Sequence, residues 1–174
     1  MWLGKVITLV LLLTFQACHI PASEGKPVYS SQLDFTAKVI RIIDGDTMEV
    51  LYKHAPVKVR LAHIDCPEKR GSQPFGNNAK KALSDLCFGQ MVNVKGEKYD
   101  RYKRLIAVVI NKKKQIINQE MIRQGMAWHF KKYSSDKLYA KLEIIAREKK
   151  VGLWHDVNPI APWEWRKSKI VYLR

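Results

Sequence analysis

Hydrophobic and polar residues alternate in several short segments after residue 33, and this period of two predicts β-strands. Between the first two segments lies Asp44-Gly45, a strong hairpin-turn signal. The alternation is interrupted by segments rich in Gly, Pro and charged residues, which predict turns and loops. The predicted strands are Phe35–Ile43, Thr47–Tyr52, Val57–Ile64, Met91–Lys95 and Leu105–Ile110.

Three other segments have the periodicity of helices. The first carries apolar residues at helical spacing from Ala79 to Leu86 and is expected to end at Gly89. Five short strands with about three helices predict an α+β protein, a five-stranded β-barrel of the OB-fold type. The second helix is predicted to begin at the N-cap signal of Asn118 and to end at Gly125. The third is predicted to begin at the N-cap signal of Asp136 and to end at Gly152, with an apolar face of Leu138, Leu142 and Ile145.

The N-terminus has a different pattern, an almost unbroken apolar run over Val6–Phe15. Ten residues are too few to span a bilayer, but they suit the central region of a signal peptide. Cleavage after Ala17 and cleavage after Ala22 both fit, and Cys18 stands where a lipoprotein signal would place a lipidated cysteine. We therefore predict a signal peptide over residues 1–22, or a lipoprotein signal ending before Cys18, and an exported protein that is secreted, periplasmic or lipid-anchored at the cell envelope. A buried N-terminal helix in a cytosolic protein is the alternative.

The charge of the chain is strongly positive. There are 31 Lys and Arg residues against 16 Asp and Glu, a formal charge of +15 at pH 7. Such a field favours polyanions, because each phosphate that is neutralised releases counterions. A solubilising basic surface and contact with an anionic membrane surface are the alternatives on charge alone.

Three cysteines are present, Cys18, Cys66 and Cys87. If Cys18 is removed with the signal or lipidated, Cys66 and Cys87 are left as a candidate disulfide pair. An oxidising compartment would permit the bond, but sequence does not give the distance between the two Cα atoms, so both the bridged and the free state stay open.

Three polar clusters carry the candidate chemistry. They are Asp44–Thr47 in the predicted turn, Arg60–Glu68 around the end of the third strand, and Asp100–Arg104 before the fifth. Taken singly, each is most simply a turn, a loop or a solvated face. Together they supply what phosphodiester hydrolysis requires: oxygen ligands for a hard cation, a base for water, and cations that hold phosphate.

Within these clusters, Asp46 and Asp65 could offer carboxylates to a cation and Glu68 could act as the base. Arg60 and Arg104 are suited to bidentate contact with phosphate, which lysine cannot make. On a regular strand, Arg60 and Asp65 would point to opposite faces. We therefore predict that the third strand ends near Ile64, so that both side chains reach one phosphate.

The order and internal spacing of the three clusters resemble the signature segments of the staphylococcal nuclease (thermonuclease) family, and the similarity runs from about Phe35 to Trp154. Residues 23–33 are then a linker, 34–156 the nuclease domain and 157–174 a tail rich in Trp, Pro and basic residues, expected to pack against the barrel. The resemblance implies a monomer that hydrolyses DNA and RNA with little sequence preference and leaves 3′-phosphate and 5′-hydroxyl ends. It implies no stable protein partner and no membrane contact except through a lipid on Cys18.

Residue by residue, the resemblance also implies a site. One Ca²⁺ ion would be bound by the carboxylates of Asp46 and Asp65 and by the backbone carbonyl of Cys66, where the family more often has threonine. Glu68 would be the general base, and Arg60 and Arg104 would hold the phosphate. The remaining roles are support of the metal by Asp44, a place beside the nucleotide for Tyr102, and base stacking for which Trp128, Phe130 and Tyr133 are candidates. A nucleic-acid-binding module of the same fold without catalysis is the alternative.

Overall fold

The computed structural model describes residues 33–171, with their side chains as far as residue 168. The predicted signal peptide, the candidate lipidation site at Cys18 and nearly all of the predicted linker lie outside the described residues. Within the described range, none of the helices combines the length and apolar character that crossing a bilayer requires.

Among residues 33–171, five of the seven strands form a closed barrel in the order β1-β2-β3-β6-β5. Neighbouring strands are antiparallel except at the seam between β3 and β6, where parallel pairing places Arg60 opposite Ile106. The other two strands, β4 and β7, pair with each other beside the barrel. The predicted five-stranded OB-type barrel is therefore confirmed. The strands are β1 (Asp34–Asp44), β2 (Thr47–Tyr52), β3 (Ala55–Leu61), β4 (Ile64–Asp65), β5 (Met91–Tyr99), β6 (Leu105–Ile110) and β7 (Trp128–His129).

The barrel interior is filled by the apolar residues of the alternating strands. Val39, Val50 and Val59 are fully buried, as are their counterparts on the strands that close the barrel. The described part of the chain also has four helices, α1 (Gly76–Cys87), α2 (Ile117–Arg123), α3 (Lys137–Glu148) and α4 (Pro162–Val171), with a 3₁₀ turn at Gly152–His155. The helix α4 lies in the predicted tail and had no counterpart among the three predicted helices.

The predicted helix caps have different outcomes. Asp136 is confirmed, since its carboxylate accepts a 2.7 Å hydrogen bond from the backbone N–H of Leu138. Asn118 is wrong as a cap, because it lies inside α2, fully buried. Its side chain accepts from the N–H of Val109 and donates to the carbonyls of Ala62 and Ala107. Asn118 therefore connects α2 to the barrel by hydrogen bonds instead of capping the helix.

The face that α3 buries also differs from the prediction. Leu142 is buried as expected, but Leu138 is exposed. Tyr139 and Ala146 lie on the buried face with Leu142, and this face of α3 packs on α2. The helix ends at Glu148, before the predicted Gly152.

The candidate disulfide between Cys66 and Cys87 is wrong, since both are buried free thiols. Cys66 packs beside Ala79 at the start of α1, because the Cβ atoms of both residues lie within 3 Å of the position that a Cβ atom on Gly45 would take. Cys87 lies eight residues further along α1, a rise of about 12 Å, and its thiol donates to the carbonyl of Leu83 at 3.1 Å. A disulfide requires Cα atoms within about 7 Å.

The tail packs through an aromatic cluster on β7 and the residue after it, beside the barrel, and not on the barrel strands as predicted. The ring of Trp163 in α4 stacks on Phe130 with centroids 5.4 Å apart and meets Trp128 edge-on at 5.6 Å. Ala161, just before the helix, is also buried. The start of α4 is thus fixed on the side of the barrel that carries β7.

Candidate active site

The turn between β1 and β2 depends on the small size of Gly45. A Cβ atom at this position would lie 2.7 Å from the Cβ of Ala79 and 2.8 Å from that of Cys66. Its φ angle is not in the left-handed region, so this glycine is required for close approach and not for an unusual backbone conformation. The turn is therefore pressed against α1 and against the chain that follows β4.

That close approach fixes the carboxylate of Asp46. One oxygen accepts from the hydroxyl of Thr47 at 2.9 Å, and the other accepts from the backbone N–H of Cys66 at 3.0 Å. The side chain is almost completely buried. Asp46 is thereby held against a segment that follows it by 20 residues.

Arg60 lies between two aspartates. Its Nη2 is 3.2 Å from Asp46 and 2.8 Å from Asp65, while Nη1 donates to the carbonyls of Leu61 and Ile64, each at 2.9 Å. Burial alone would lower the pKa of Arg60, but the two carboxylates raise it. The cluster is therefore a fixed arrangement of one cation and two anions.

A tight reversal of the chain brings Asp65 to this cluster. Strand β3 ends at Leu61, and His63 turns the chain with φ +68°. Asp65 then lies in β4, paired with Trp128 of β7. The strand does end before Asp65, as predicted, although three residues earlier than the predicted Ile64. Burial raises the pKa of Asp65 to about 6, against the opposing effect of Arg60.

Glu68 lies in the loop before α1, and its position depends on Gln73. The backbone N–H of Glu68 donates to the side-chain oxygen of Gln73 at 2.9 Å. A Cβ on Gly76 would lie 2.4 Å from the carbonyl oxygen of Glu68, so the helix start also requires glycine there. Gln73 is buried. No sequence pattern indicated this role, since a polar residue in a Gly- and Pro-containing loop resembles a solvated one.

Arg104 is held by Asp100. One Asp100 oxygen accepts from the backbone N–H groups of Tyr102 and Arg104, and the other accepts from the guanidinium at 2.8 Å. These hydrogen bonds lower the pKa of Asp100, although burial acts in the opposite direction. The exposed ring of Tyr102 lies beside the guanidinium, 5.5 Å from it.

Arg60 and Arg104 line the same cavity, of about 560 Å³, together with Tyr102 and Tyr133. A neighbouring cleft is lined by Arg104, Asp44 and Glu68. The structure thus brings the predicted acids and both arginines to one side of the barrel. Of the candidates for base stacking, Tyr133 is exposed at the cavity, whereas Trp128 is buried and Phe130 is stacked on Trp163.

Sequence analysis missed one charged residue of this site, Arg166 of α4. Its Nη2 lies 2.6 Å from Asp65, and its Nη1 contacts Glu68. These carboxylates raise the pKa of Arg166. The pairs with Asp65 and Glu68 span 101 and 98 residues, so no local pattern pointed to them.

The residues present suit a hard cation. Asp46 and Asp65 converge on the same nitrogen of Arg60, and the Cys66 carbonyl belongs to the same segment. Burial raises the pKa of the Cys66 thiol well above its usual value, and the backbone carbonyl of Cys66 is the oxygen donor of this residue. Oxygen donors of this kind suit Ca²⁺ or Mg²⁺. Within residues 33–168, no three side chains of His, Cys, Asp or Glu are gathered closely enough to hold a metal alone, so backbone and water would complete the shell.

Asp44 is the remaining carboxylate of the cluster. One of its oxygens accepts from the backbone N–H groups of Gly45 and Lys69, at 2.9 and 3.3 Å. Burial and the neighbouring Asp46 raise its pKa. Asp44 therefore joins the turn to the loop that follows Glu68.

Comparison with known proteins identifies the family. Residues 58–156, more than half of the chain, match the model of the staphylococcal nuclease homologues. The chain belongs to this family. It is 48% identical over 135 residues to an endonuclease of Haemophilus influenzae that is named uncharacterized, covering 77% of this chain and 74% of that one. It is 40% identical over 145 residues to the micrococcal nuclease of Shigella flexneri, covering 78% of this chain and 82% of that one. It is 37% identical over 129 residues to a staphylococcal-like nuclease of Arabidopsis thaliana, covering 74% of this chain and 38% of that one.

With this fold and these relatives, the protein is a nuclease and its substrates are nucleic acids. The alternative of a binding module without catalysis is not favoured, since the acids and arginines of the three clusters are retained and lie on one side of the barrel.

Proposed function

We propose that this nuclease hydrolyses phosphodiester bonds of both DNA and RNA, with one Ca²⁺ ion, and leaves 3′-phosphate and 5′-hydroxyl ends. The observation that carries the proposal is the contact of Arg60 with both Asp46 and Asp65, beside the cavity that Arg60 shares with Arg104. This contact supports a site in which two carboxylates lie beside one of the two guanidiniums that share the cavity.

Each side chain has a defined role in this mechanism. The carboxylates of Asp46 and Asp65 and the carbonyl of Cys66 would hold Ca²⁺, which when bound polarises a phosphoryl oxygen. Arg60 and Arg104 donate hydrogen bonds to the phosphoryl oxygens and stabilise the charge that develops at five-coordinate phosphorus. Asp100 keeps Arg104 oriented, and Asp44 supports the turn that carries Asp46.

Glu68 supplies the base. It accepts a proton from the attacking water as the new bond from oxygen to phosphorus forms. The bond from phosphorus to the 5′ oxygen breaks, and that oxygen takes up a proton to become the 5′-hydroxyl. The formal charge of +15 supports a nucleic acid as the substrate, because it steers polyanions to the surface.

The test uses plasmid DNA and a folded RNA with the purified protein, in Ca²⁺ and in EGTA. We expect both nucleic acids to be cut in Ca²⁺ and neither to be cut in EGTA. The new 5′ ends should accept phosphate from polynucleotide kinase without prior dephosphorylation. Glu68→Gln should reduce turnover by about 10²–10⁴-fold. The matched control is Glu120→Gln on α2, where the acid pairs with Arg123. Full activity in EGTA, or 5′-phosphate ends, would contradict the proposal.

We also propose that the protein is exported, as a soluble or a lipid-anchored form. The apolar run before Cys18 supports this. Determination of the mature N-terminus from its native host, with mass spectrometry of the first peptide, distinguishes the two forms. A mature protein that still begins at Met1 would contradict export by a cleaved signal.

A further inference from the structure

We propose that Arg166 is a resident counter-cation of the metal site, which neutralises Asp65 and Glu68 when metal is absent and gives way when Ca²⁺ binds. Helix α4 therefore sets the metal affinity of the enzyme. This inference rests on the proposed function, because it takes Asp65 as a metal ligand.

The contacts of Arg166 are with the acids that the mechanism uses. Nη2 lies 2.6 Å from Oδ2 of Asp65, and Nη1 lies 3.5 Å from Oδ1 of the same carboxylate. Nη1 also donates to Oε1 of Glu68. One guanidinium thus spans a proposed metal ligand and the proposed base.

The position of Arg166 is built into the fold and does not depend on these ion pairs alone. The stack of Trp163 on Phe130 anchors the helix three residues earlier. Before the helix, the carbonyl of Ile160 accepts a 2.8 Å hydrogen bond from the buried Gln73. Gln73 also binds the N–H of Glu68. The segment that carries Arg166 is therefore tied to the loop that carries Glu68.

Of the two arginines at Asp65, Arg166 is the one that can leave. The side chain of Arg60 is 11% exposed and its guanidinium contacts two carboxylates and two carbonyls. The side chain of Arg166 is 42% exposed, and the groups that its guanidinium contacts within the described residues are the carboxylates of Asp65 and Glu68. Replacing its contacts costs less, because water reaches the guanidinium already.

The formal charges point the same way. The acids of the cluster are Asp44, Asp46, Asp65 and Glu68, and the arginines in contact with them are Arg60 and Arg166. With Arg166 in place, four negative and two positive charges leave a net charge of −2, which attracts a divalent cation. That cation and Arg166 would compete for Oδ2 of Asp65. When Arg166 withdraws, the carboxylates that face the metal become more negative and that oxygen becomes free.

The proposal is tested by Ca²⁺ titration calorimetry on the full mature protein, with no substrate present. Arg166→Gln should bind Ca²⁺ about tenfold more tightly than the wild type, because a competing positive charge is removed at the screened edge of the site. The control is Lys167→Gln, which removes the same charge from the next, exposed residue and should change the affinity less than about twofold. Arg166→Lys, which keeps the charge without the planar fork, should lie between the wild type and Arg166→Gln.

Hydrogen exchange provides a second measurement. In the wild type, Ca²⁺ should speed exchange of the amides around Arg166 in α4, and in Arg166→Gln these amides should exchange fast with or without Ca²⁺. If Ca²⁺ binds the wild type and Arg166→Gln equally, or binds the variant more weakly, the role of Arg166 is overturned and the proposed metal stands. If Ca²⁺ binds neither protein, both the metal and its competition with Arg166 are overturned.

Discussion

The side-chain amide of Gln73 donates a hydrogen bond to the carbonyl oxygen of Ile160, 2.8 Å away, and so joins the loop before α1 to the segment before α4. The other end of the same amide accepts from the N–H of Glu68. A single buried side chain thus connects the proposed base with the helix that carries Arg166.

Replacing Gln73 by alanine should therefore affect both stability and catalysis. The partly buried N–H of Glu68 would lose its acceptor, which costs about 1 kcal/mol, and Glu68 would lose its fixed position. Urea unfolding should show this loss of stability, and turnover on plasmid DNA should fall at least tenfold under conditions where the variant is folded. The control is Gln90→Ala, in the turn before β5, where the backbone carbonyl makes the contact with Val39. Wild-type turnover in Gln73→Ala would show that Glu68 does not need this support.

Asp100 should act on the reaction through Arg104. We expect Asp100→Asn to lower turnover about tenfold, less than the ~10²–10³-fold for Arg104→Gln, because an asparagine still holds part of the network. The matched control is Asp85→Asn, which removes an exposed ion pair with Lys81. A loss of turnover in Asp100→Asn as large as in Arg104→Gln would instead indicate direct contact of Asp100 with the substrate.

The same aspartate gives a pH dependence of stability. Hydrogen bonds from Arg104 hold the pKa of Asp100 below its usual 3.8. A carboxyl with a lowered pKa stabilises the fold above 3.8, and this contribution is lost as the pH falls through the pKa of the folded state. The free energies of unfolding of the wild type and Asp100→Asn should therefore differ at pH 7 and converge below pH 3.8, as measured by urea titration. A difference in the free energy of unfolding that persists at low pH would show that the charge of Asp100 does not stabilise the fold.

Both free thiols should be unreactive in the folded protein. Burial raises the pKa of Cys87 to about 12 and that of Cys66 well above its usual value, so neither is a thiolate at pH 8. In a Cys18→Ser variant, Ellman's reagent should detect almost no thiol in the native protein and two after denaturation without reductant. No thiol after denaturation would reveal a disulfide.

The close packing at Gly45 predicts a severe effect of the smallest substitution. Gly45→Ala places a Cβ 2.7 Å from that of Ala79 and 2.8 Å from that of Cys66, so the turn carrying Asp46 must move. We expect both thermal stability and turnover to fall. The double variant with Ala79→Gly should recover part of the turnover, because one of the two clashes is relieved. Unchanged turnover in Gly45→Ala would mean that α1 can shift to make room for the added Cβ at little cost.

The sequence predicted the barrel well because alternation is a local signal. The bounds of β2 and β6 agree with prediction, and those of β1 differ by one residue at each end. Local signals also mislead: Asn118 has the residue type of a cap, yet its amide is used inside the molecule. The resemblance in three short segments brought the acids and arginines into one hypothesis, and the fold places them together.

Residues whose partners are far along the chain were not predictable in this way. Arg166 meets Asp65 across 101 residues, and Gln73 meets Ile160 across 87. Both depend on where α4 docks, and this is decided by the stack of Trp163 on Phe130. Because Arg166 is one basic residue in a basic tail, its sequence context does not indicate a partner as distant as Asp65.

The parallel seam between β3 and β6 has a consequence for the cell that makes this enzyme. Arg60 lies in that seam, opposite Ile106, and the seam is shut only when β6 pairs with β3. A growing polypeptide that has not yet produced β6 cannot shut it. Closure of the barrel around Arg60 therefore waits until β6 has been synthesised.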